Sequence, residues 1–441
     1  MIARTTDGDE ICGPCAGLPG AYICPGCGTG GRLYADGCCP RCVLKVRLDQ
    51  HLAGPDGQVN AQLRPLLQAM ASAENARTVL NWLKHSPNAR LLAELAASGQ
   101  AITHELLDEL PPGRHEHYVR QALVAAGVLP ERREDLDRIP AWLNTLLVDR
   151  PVEHARLVRP YVHWFLLKRA RRRAERRRHP AHTGAFLRTW IRIALELLTW
   201  LDDHDGSLAT LTQADLDRWL AAGNTRNHTI RYFLGWAADR GIAPRLTIPP
   251  IPRQDPARIL DEQEHWGQFQ RCLADTALPL DVRVAGALLL LFGLPISRIR
   301  LLRAEHLQDR DDGTYLDIGR HPLLIPPRLA VLLRELAATP VNRSNMAVSV
   351  TWLFPGLVPG QPASSSAFGR KICEHGIEAR PARNAALIAL VEDVPAPVMA
   401  DILGLHISTA VRWADIAKRD WSAYLAARAE DLQRGNTAPS E

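Results

Sequence analysis

No apolar run in this 441-residue sequence is long enough for a membrane: the longest, Val284–Leu294, stops well short of the ~18 residues a span needs. The opening, MIARTTDGDE, lacks the apolar core of a secretion signal, so a cytoplasmic, nucleoid-associated protein is expected. Neither sign of charge prevails. Lys and Arg number 53 against 48 Asp and Glu, a net +5, so overall charge decides little and its distribution must decide more. Nothing points to an oxidising compartment, which disfavours a disulfide-stapled scaffold. What is present is a 46% hydrophobic composition that suits a folded chain, with length for roughly three domains at ~150 residues each.

Seven of the nine cysteines fall between Cys12 and Cys42. Cys24/Cys27 and Cys39/Cys42 are two C-x-x-C knuckles separated by a short Gly-rich loop, the spacing of a tetrahedral Zn²⁺ site. Gly26, Gly28 and Gly37 let the backbone bend there. These four cysteines are assigned to one structural zinc. Cys12, Cys15 and Cys38, with a fourth ligand such as His51, are candidates for a second.

From Leu48 to about Glu153 the chain reads as helical, with Ala76–Leu83 and Arg90–Ala97 amphipathic and prolines between segments. His115-Glu116-His117 is expected on the solvated surface, because residues two apart on a helix do not share a face. Tyr161–His179 is sharper: an apolar half, then Lys168, Arg169, Arg171, Arg172, Arg173, Arg176, Arg177 and Arg178, relieved only by Glu175. Like charges three and four apart repel on a helix, so an anionic partner is expected, and a nucleic-acid backbone is the natural one. A helix follows around Ala185–Leu201. Another is expected at Thr210–Leu220 with Thr212 as N-cap, and a third over Thr225–Asp239, stopped by Gly241. RLTIPPIPRQDPAR then resists helix formation and reads as a semi-rigid strap.

The second lobe opens with helices at Asp261–Ala274 and Val282–Phe292, a short hairpin at Thr314–Ile325, and the phrase Trp352-Leu353-Phe354-Pro355. Arg380–Trp413 reads as three short helices with Pro395 and Pro397 at a corner and Gly404 as a break. Val398–Ala414 also fits a helix-turn-helix, with Ala400 at a close crossing, Gly404 at the turn and Ala410 buried. His406, Ser408, Thr409 and Arg412 would then reach base edges or phosphates.

Several of these phrases together resemble the tyrosine recombinase, or phage integrase, family, over about Tyr161–Ala427. The "Thr-x-x-Asp-Leu" helix and the basic helix ending Phe-x-x-Trp-Ala and Arg-Gly resemble its SAM-like core-binding domain. That resemblance implies a DNA-facing set of Thr225, Arg226, Asn227, His228 and Arg231. Gly293–Ile299 (GLPISRI) resembles the first catalytic box, and the family's Arg stands at Pro295. Arg320 is the nearest match to the hairpin Lys. In the last box, Arg380 stands for the first His, Arg383 matches the Arg, Leu405 stands for the second His and Trp413 for the nucleophilic Tyr.

With the cysteines read as a zinc ribbon at 1–47 and a helical region at 48–155, the resemblance implies a mainly α protein with a core-binding domain at 156–243, linker at 244–257, catalytic-like domain with a small β-hairpin at 258–432 and tail at 433–441. It implies double-stranded DNA as partner, with a second copy or another recombinase as oligomer. Strand exchange requires a tyrosine oxygen attacking phosphorus, guanidiniums on the developing charge and a proton donor for the leaving oxygen. Of these groups only Arg383 survives, so a catalytically inactive DNA-binding protein is expected. The alternatives are an active recombinase with a relocated nucleophile such as Tyr424, a helix-turn-helix regulator, and a recombinase-docking subunit.

Overall fold

The computed structural model describes residues 3–418 except 5–9, 12–15, 18–21, 32, 112, 177–182, 251–254, 319–320, 340–345 and 348–350. The fold is mainly helical, with one three-stranded antiparallel sheet and a two-residue strand pair, Ala3–Arg4 with Glu10–Ile11. The chain forms two compact units, 131–255 and the combination of 1–130 with 256–441. Helices at 134–137, 139–146 and 152–160, read from sequence as part of the 48–155 region, belong to the 131–255 unit.

That unit is held by its own core. Tyr161, Phe233 and Trp236 form its aromatic centre, with the Tyr161 ring 5.1 Å from Phe233 edge-on and 5.4 Å from Trp236. Val152–Pro160 ends in a proline that has no N–H to give, and the helix widens into π turns over Tyr161–Leu167 before Lys168–Arg176. The expected cap at Thr212 is present as a reciprocal pair. Thr212 Oγ1 accepts from the Asp215 N–H, and Asp215 Oδ2 accepts from the Thr212 N–H, each at 3.2 Å. The expected helix over Thr225–Asp239 is instead a 3₁₀ stretch, Thr225–Ile230, followed by an α-helix, Arg231–Ala238. The Thr229 hydroxyl donates to the Arg226 carbonyl at 2.7 Å, a local bond that competes with the α ladder.

In the other unit, Leu280–Phe292 is buried on every side from Val282 to Leu290. It packs against Glu262–Ala274, Pro327–Ala338 and Ala379–Asp393. Buried Arg283 closes this packing by donating to the Cys272 and Leu273 carbonyls at the end of the first of those helices. The sheet runs Leu307–Arg310, Gly313–Leu316, Leu323–Ile325, one strand more than the expected hairpin. Trp352–Pro355 is no strand: Trp352 and Pro355 make isolated bridges to Arg303 and Pro362.

The N-terminal helices form a separate core into which Met346 inserts, beside an Ala347 N–H donating to the Ala69 carbonyl. There the expected solvated histidine pair is corrected. Glu116 is buried, 2.7 Å from the fully buried Arg120, which also donates to Asp108 at 2.7 Å and His104 Nδ1 at 3.0 Å. A charged group at such a site is tolerated because each nitrogen of the guanidinium meets an acceptor.

Candidate metal centre and nucleic-acid interface

The sulfurs of Cys24, Cys27, Cys39 and Cys42 lie within 4.8 Å of one another. Zn–S bonds of ~2.3 Å put tetrahedral sulfurs roughly 3.8 Å apart, and Cys27 and Cys39 already stand at 3.7 Å. The backbone explains the approach. Cys39 is the N-cap of the helix Pro40–His51, so Cys42 follows one turn later, and the Cys39 N–H donates to Cys24 Sγ at 3.2 Å. A Cβ at Gly26 would sit 3.2 Å from Cys42 Sγ, so a side chain there would crowd the sulfurs. The Cys39 N–H is the main cause pulling the Cys24 thiol down to about 6, and the Thr29 hydroxyl lowers Cys27. Hydrogen bonding with the Cys27, Cys24 and Cys39 sulfurs pushes Cys42 up to about 12. Only thiolates ligate zinc, so a cation bound here would have to displace the protons that remain. Cys38 stands outside the group, its thiol raised chiefly by burial, and His51 Nε2 is 2.7 Å from the Ala89 carbonyl. Cys12 and Cys15 lie outside the described residues.

On the basic helix, Lys168, Arg169, Arg172 and Arg173 are exposed, and among the described residues none pairs with a carboxylate. Arg171 donates to Asp137 at 2.8 Å. The Arg176 side chain and all of Arg177 and Arg178 lie outside the described residues. Thr225 and Arg226 in the 3₁₀ stretch and Arg231 at the start of the α-helix are exposed, and His228 is half-buried with Nδ1 3.0 Å from the Pro249 carbonyl. Asn227 is not with them. It is 7% exposed, pressed against Gly223, where a Cβ would meet its amide at 2.2 Å.

Of the residues that the sequence resemblance set at catalytic positions, Pro295 caps a helix and Leu405 and Trp413 pack on the core. Pro295 is the N-cap of the short helix Ile296–Ile299. Arg383 Nε donates to the Gly293 carbonyl at 2.8 Å, and burial lowers its pKa. Arg380 is exposed, Leu405 packs half-buried against the core, and Trp413 is 6% exposed within it. Arg320 and Tyr424 lie outside the described residues. Ala396–Leu403 ends at Gly404 in the left-handed region, φ +58°, and a helix follows over 407–418. Ala400 and Ala410 are buried between them. His406 and Ser408 are exposed, Thr409 and Arg412 half-buried. His406 Nδ1 accepts from the Ser408 N–H at 3.2 Å, so that ring caps the last helix.

No protein-family model matches the sequence, and no curated protein does. Solved structures do align. XerA recombinase does so at 12% identity over 61% of this chain and 98% of its own, TM-score 0.30. The Tn1549 transposon integrase in complex with circular intermediate DNA matches at 12% identity over 58% and 94%, TM-score 0.41. XerH site-specific recombinase bound to palindromic difH substrate matches at 11% over 66% and 92%, TM-score 0.42. Likenesses this loose carry no argument about the chemistry of this chain.

One participant in this region escaped the sequence reading. Arg298, three residues after Pro295, donates to the Leu403 carbonyl, and a Cβ on Gly404 would come within 3.1 Å of its guanidinium. It ties the first box to the turn between the last two helices. No local pattern announces such a bond, because its acceptor lies 105 residues away.

Proposed function

We propose that the chain is a double-stranded DNA-binding protein with a tyrosine-recombinase-like arrangement and no catalytic nucleophile. It would act in DNA recombination, integration or their regulation, with one structural zinc on Cys24, Cys27, Cys39 and Cys42. The observation that carries the DNA reading is the helix Lys168–Arg176. It presents four exposed cationic side chains at Lys168, Arg169, Arg172 and Arg173 without a carboxylate partner among the described residues. Repulsion along such a helix is relieved when phosphates approach. Inactivity is supported by Trp413, an indole in the core where the family's tyrosine stands, and by Pro295, which has neither charge nor donor. The loss of one preorganised donor costs ~10²–10³ in rate. The loss of the nucleophile as well leaves no route to a covalent intermediate.

The test is retention of duplex DNA across a salt series, together with a nicked substrate that traps phosphotyrosyl adducts. Salt-sensitive retention without adduct is expected. An adduct mapped to any tyrosine of the native chain makes the protein an active recombinase instead, and absence of retention at low salt removes the DNA reading.

A second reading, a groove-reading helix pair at Val398–Ala414, is favoured by the left-handed turn at Gly404 between buried Ala400 and Ala410. It predicts that Ser408→Ala and Thr409→Ala alter which duplexes are retained rather than how steeply retention falls with salt.

A further inference from the structure

The 131–255 unit also gathers guanidiniums around Trp142. Arg188 and Arg192, one turn apart on Thr183–Asp202, each bring the guanidinium carbon within 5.4 Å of the Trp142 ring centroid. Trp142 lies four residues after Arg138, which precedes the helix Ile139–Leu146. Arg188 is half-buried, and its Nε is buried without a hydrogen-bond partner. Burial is the main cause lowering its pKa. The charges of Arg138 and Arg192 lower it further, and only Asp135 pulls the other way.

The acids nearby are already engaged. Glu134 lies 3.0 Å from Arg132 and 3.9 Å from Arg138, Asp137 holds Arg171, and Asp135 accepts from the Gly184 N–H at 3.3 Å. Among the described residues neither Arg188 nor Arg192 makes a salt bridge. The indole face attracts two cations but offers them no hydrogen-bond acceptor. Like charges held together beside an orphaned donor are stabilised by an oxyanion, which can accept from several guanidinium N–H groups at once.

We infer that Arg188 and Arg192, braced by Trp142 and backed by Arg138, form a phosphate-binding site in this unit. Resting on the DNA-binding reading, it would hold one or two backbone phosphates of the duplex, fixing where the DNA lies and not which sequence it has. A free phosphate ion carries the same chemistry, so the experiment separates the two sources.

The full chain and its Arg188→Gln/Arg192→Gln variant are titrated with two fluorescent duplexes of unrelated sequence at several salt concentrations. Two lost phosphate contacts lower the slope of log K against log salt by roughly 1.8, equally for both duplexes. An Arg192→Gln variant, changing only the exposed member, should lose about half of that, and Arg188→Lys/Arg192→Lys should keep most of the slope. A double variant with native slope but a lowered melting temperature overturns the inference, because the arginines then serve only to pack on Trp142. If the native chain retains no duplex, the DNA-binding reading falls, and inorganic phosphate alone decides the site. A rise in melting temperature with phosphate that the double variant loses supports it, and no rise overturns it.

Discussion

At the scale of single residues, burial decides what each side chain can do. Arg120 is fully buried with its donors shared among Glu116, Asp108 and His104. Arg120→Ala therefore takes the guanidinium away from the buried Glu116 carboxylate and should cost about 3–5 kcal/mol in denaturant unfolding. Adding Glu116→Gln removes that charge and should recover part of the loss, whereas strictly additive costs would show the two residues to be uncoupled. Trp413 belongs to the same argument. Because its indole is packed in the core, Trp413→Tyr exchanges packing for a hydroxyl inside that core. It should lower stability without yielding any covalent DNA adduct, since Pro295 and Leu405 still supply neither charge nor imidazole. A trapped adduct from that single variant would show that the nucleophile alone had been missing.

Elements bring a different set of forces into view. On Lys168–Arg176 the four exposed cations act together, so replacing Lys168, Arg169, Arg172 and Arg173 by Gln should lower the salt slope of DNA retention by roughly 3–4. An unchanged slope would assign the helix to some other partner. At the turn between the last two helices, Gly404 has φ +58°, and a Cβ there would press on the Arg298 guanidinium at 3.1 Å. Gly404→Ala should cost about 1–3 kcal/mol through the left-handed backbone, measured by chemical denaturation. The cysteine knuckles form an element whose four sulfurs converge as a metal site requires. Elemental analysis should find one zinc per chain, reduced by Cys24→Ser or Cys42→Ser. Metal-free protein with its N-terminal thiols reactive and the Pro40–His51 helix intact would remove the assignment.

For the molecule as a whole, the separateness of the two units is the main physical fact. The buried hydrophobic cluster of the 131–255 unit draws only on residues from Leu136 to Ala243, so that unit supplies its own core. The isolated segment 131–255 should therefore be helical and unfold cooperatively, and should keep most of the salt-sensitive duplex retention. Circular dichroism and the same duplex titration check this, and a segment that stays unfolded would place part of its stability elsewhere. No helix among the described residues is long and apolar enough to cross a membrane.

Much was legible from local chemistry. Periodicity located most of the helices, Thr212 announced an N-cap, and paired C-x-x-C spacing named the four cysteines whose sulfurs converge. Gly404 was readable as a turn because a left-handed position favours the residue without a Cβ. These are short-range properties, carried by residues within a turn or two of one another. Tertiary structure alone decided the rest. Asn227 looked as available as its neighbours until packing against Gly223 buried it, and Glu116 looked solvated until Arg120 closed over it. Arg298 meets Leu403 across 105 residues, and Arg188 and Arg192 meet on Trp142 from another helix. Charge and periodicity say that a side chain is cationic or lies on a given face. Which acceptor, ring or empty space that face meets depends on how distant segments pack, and that packing is what sets the desolvation of each guanidinium.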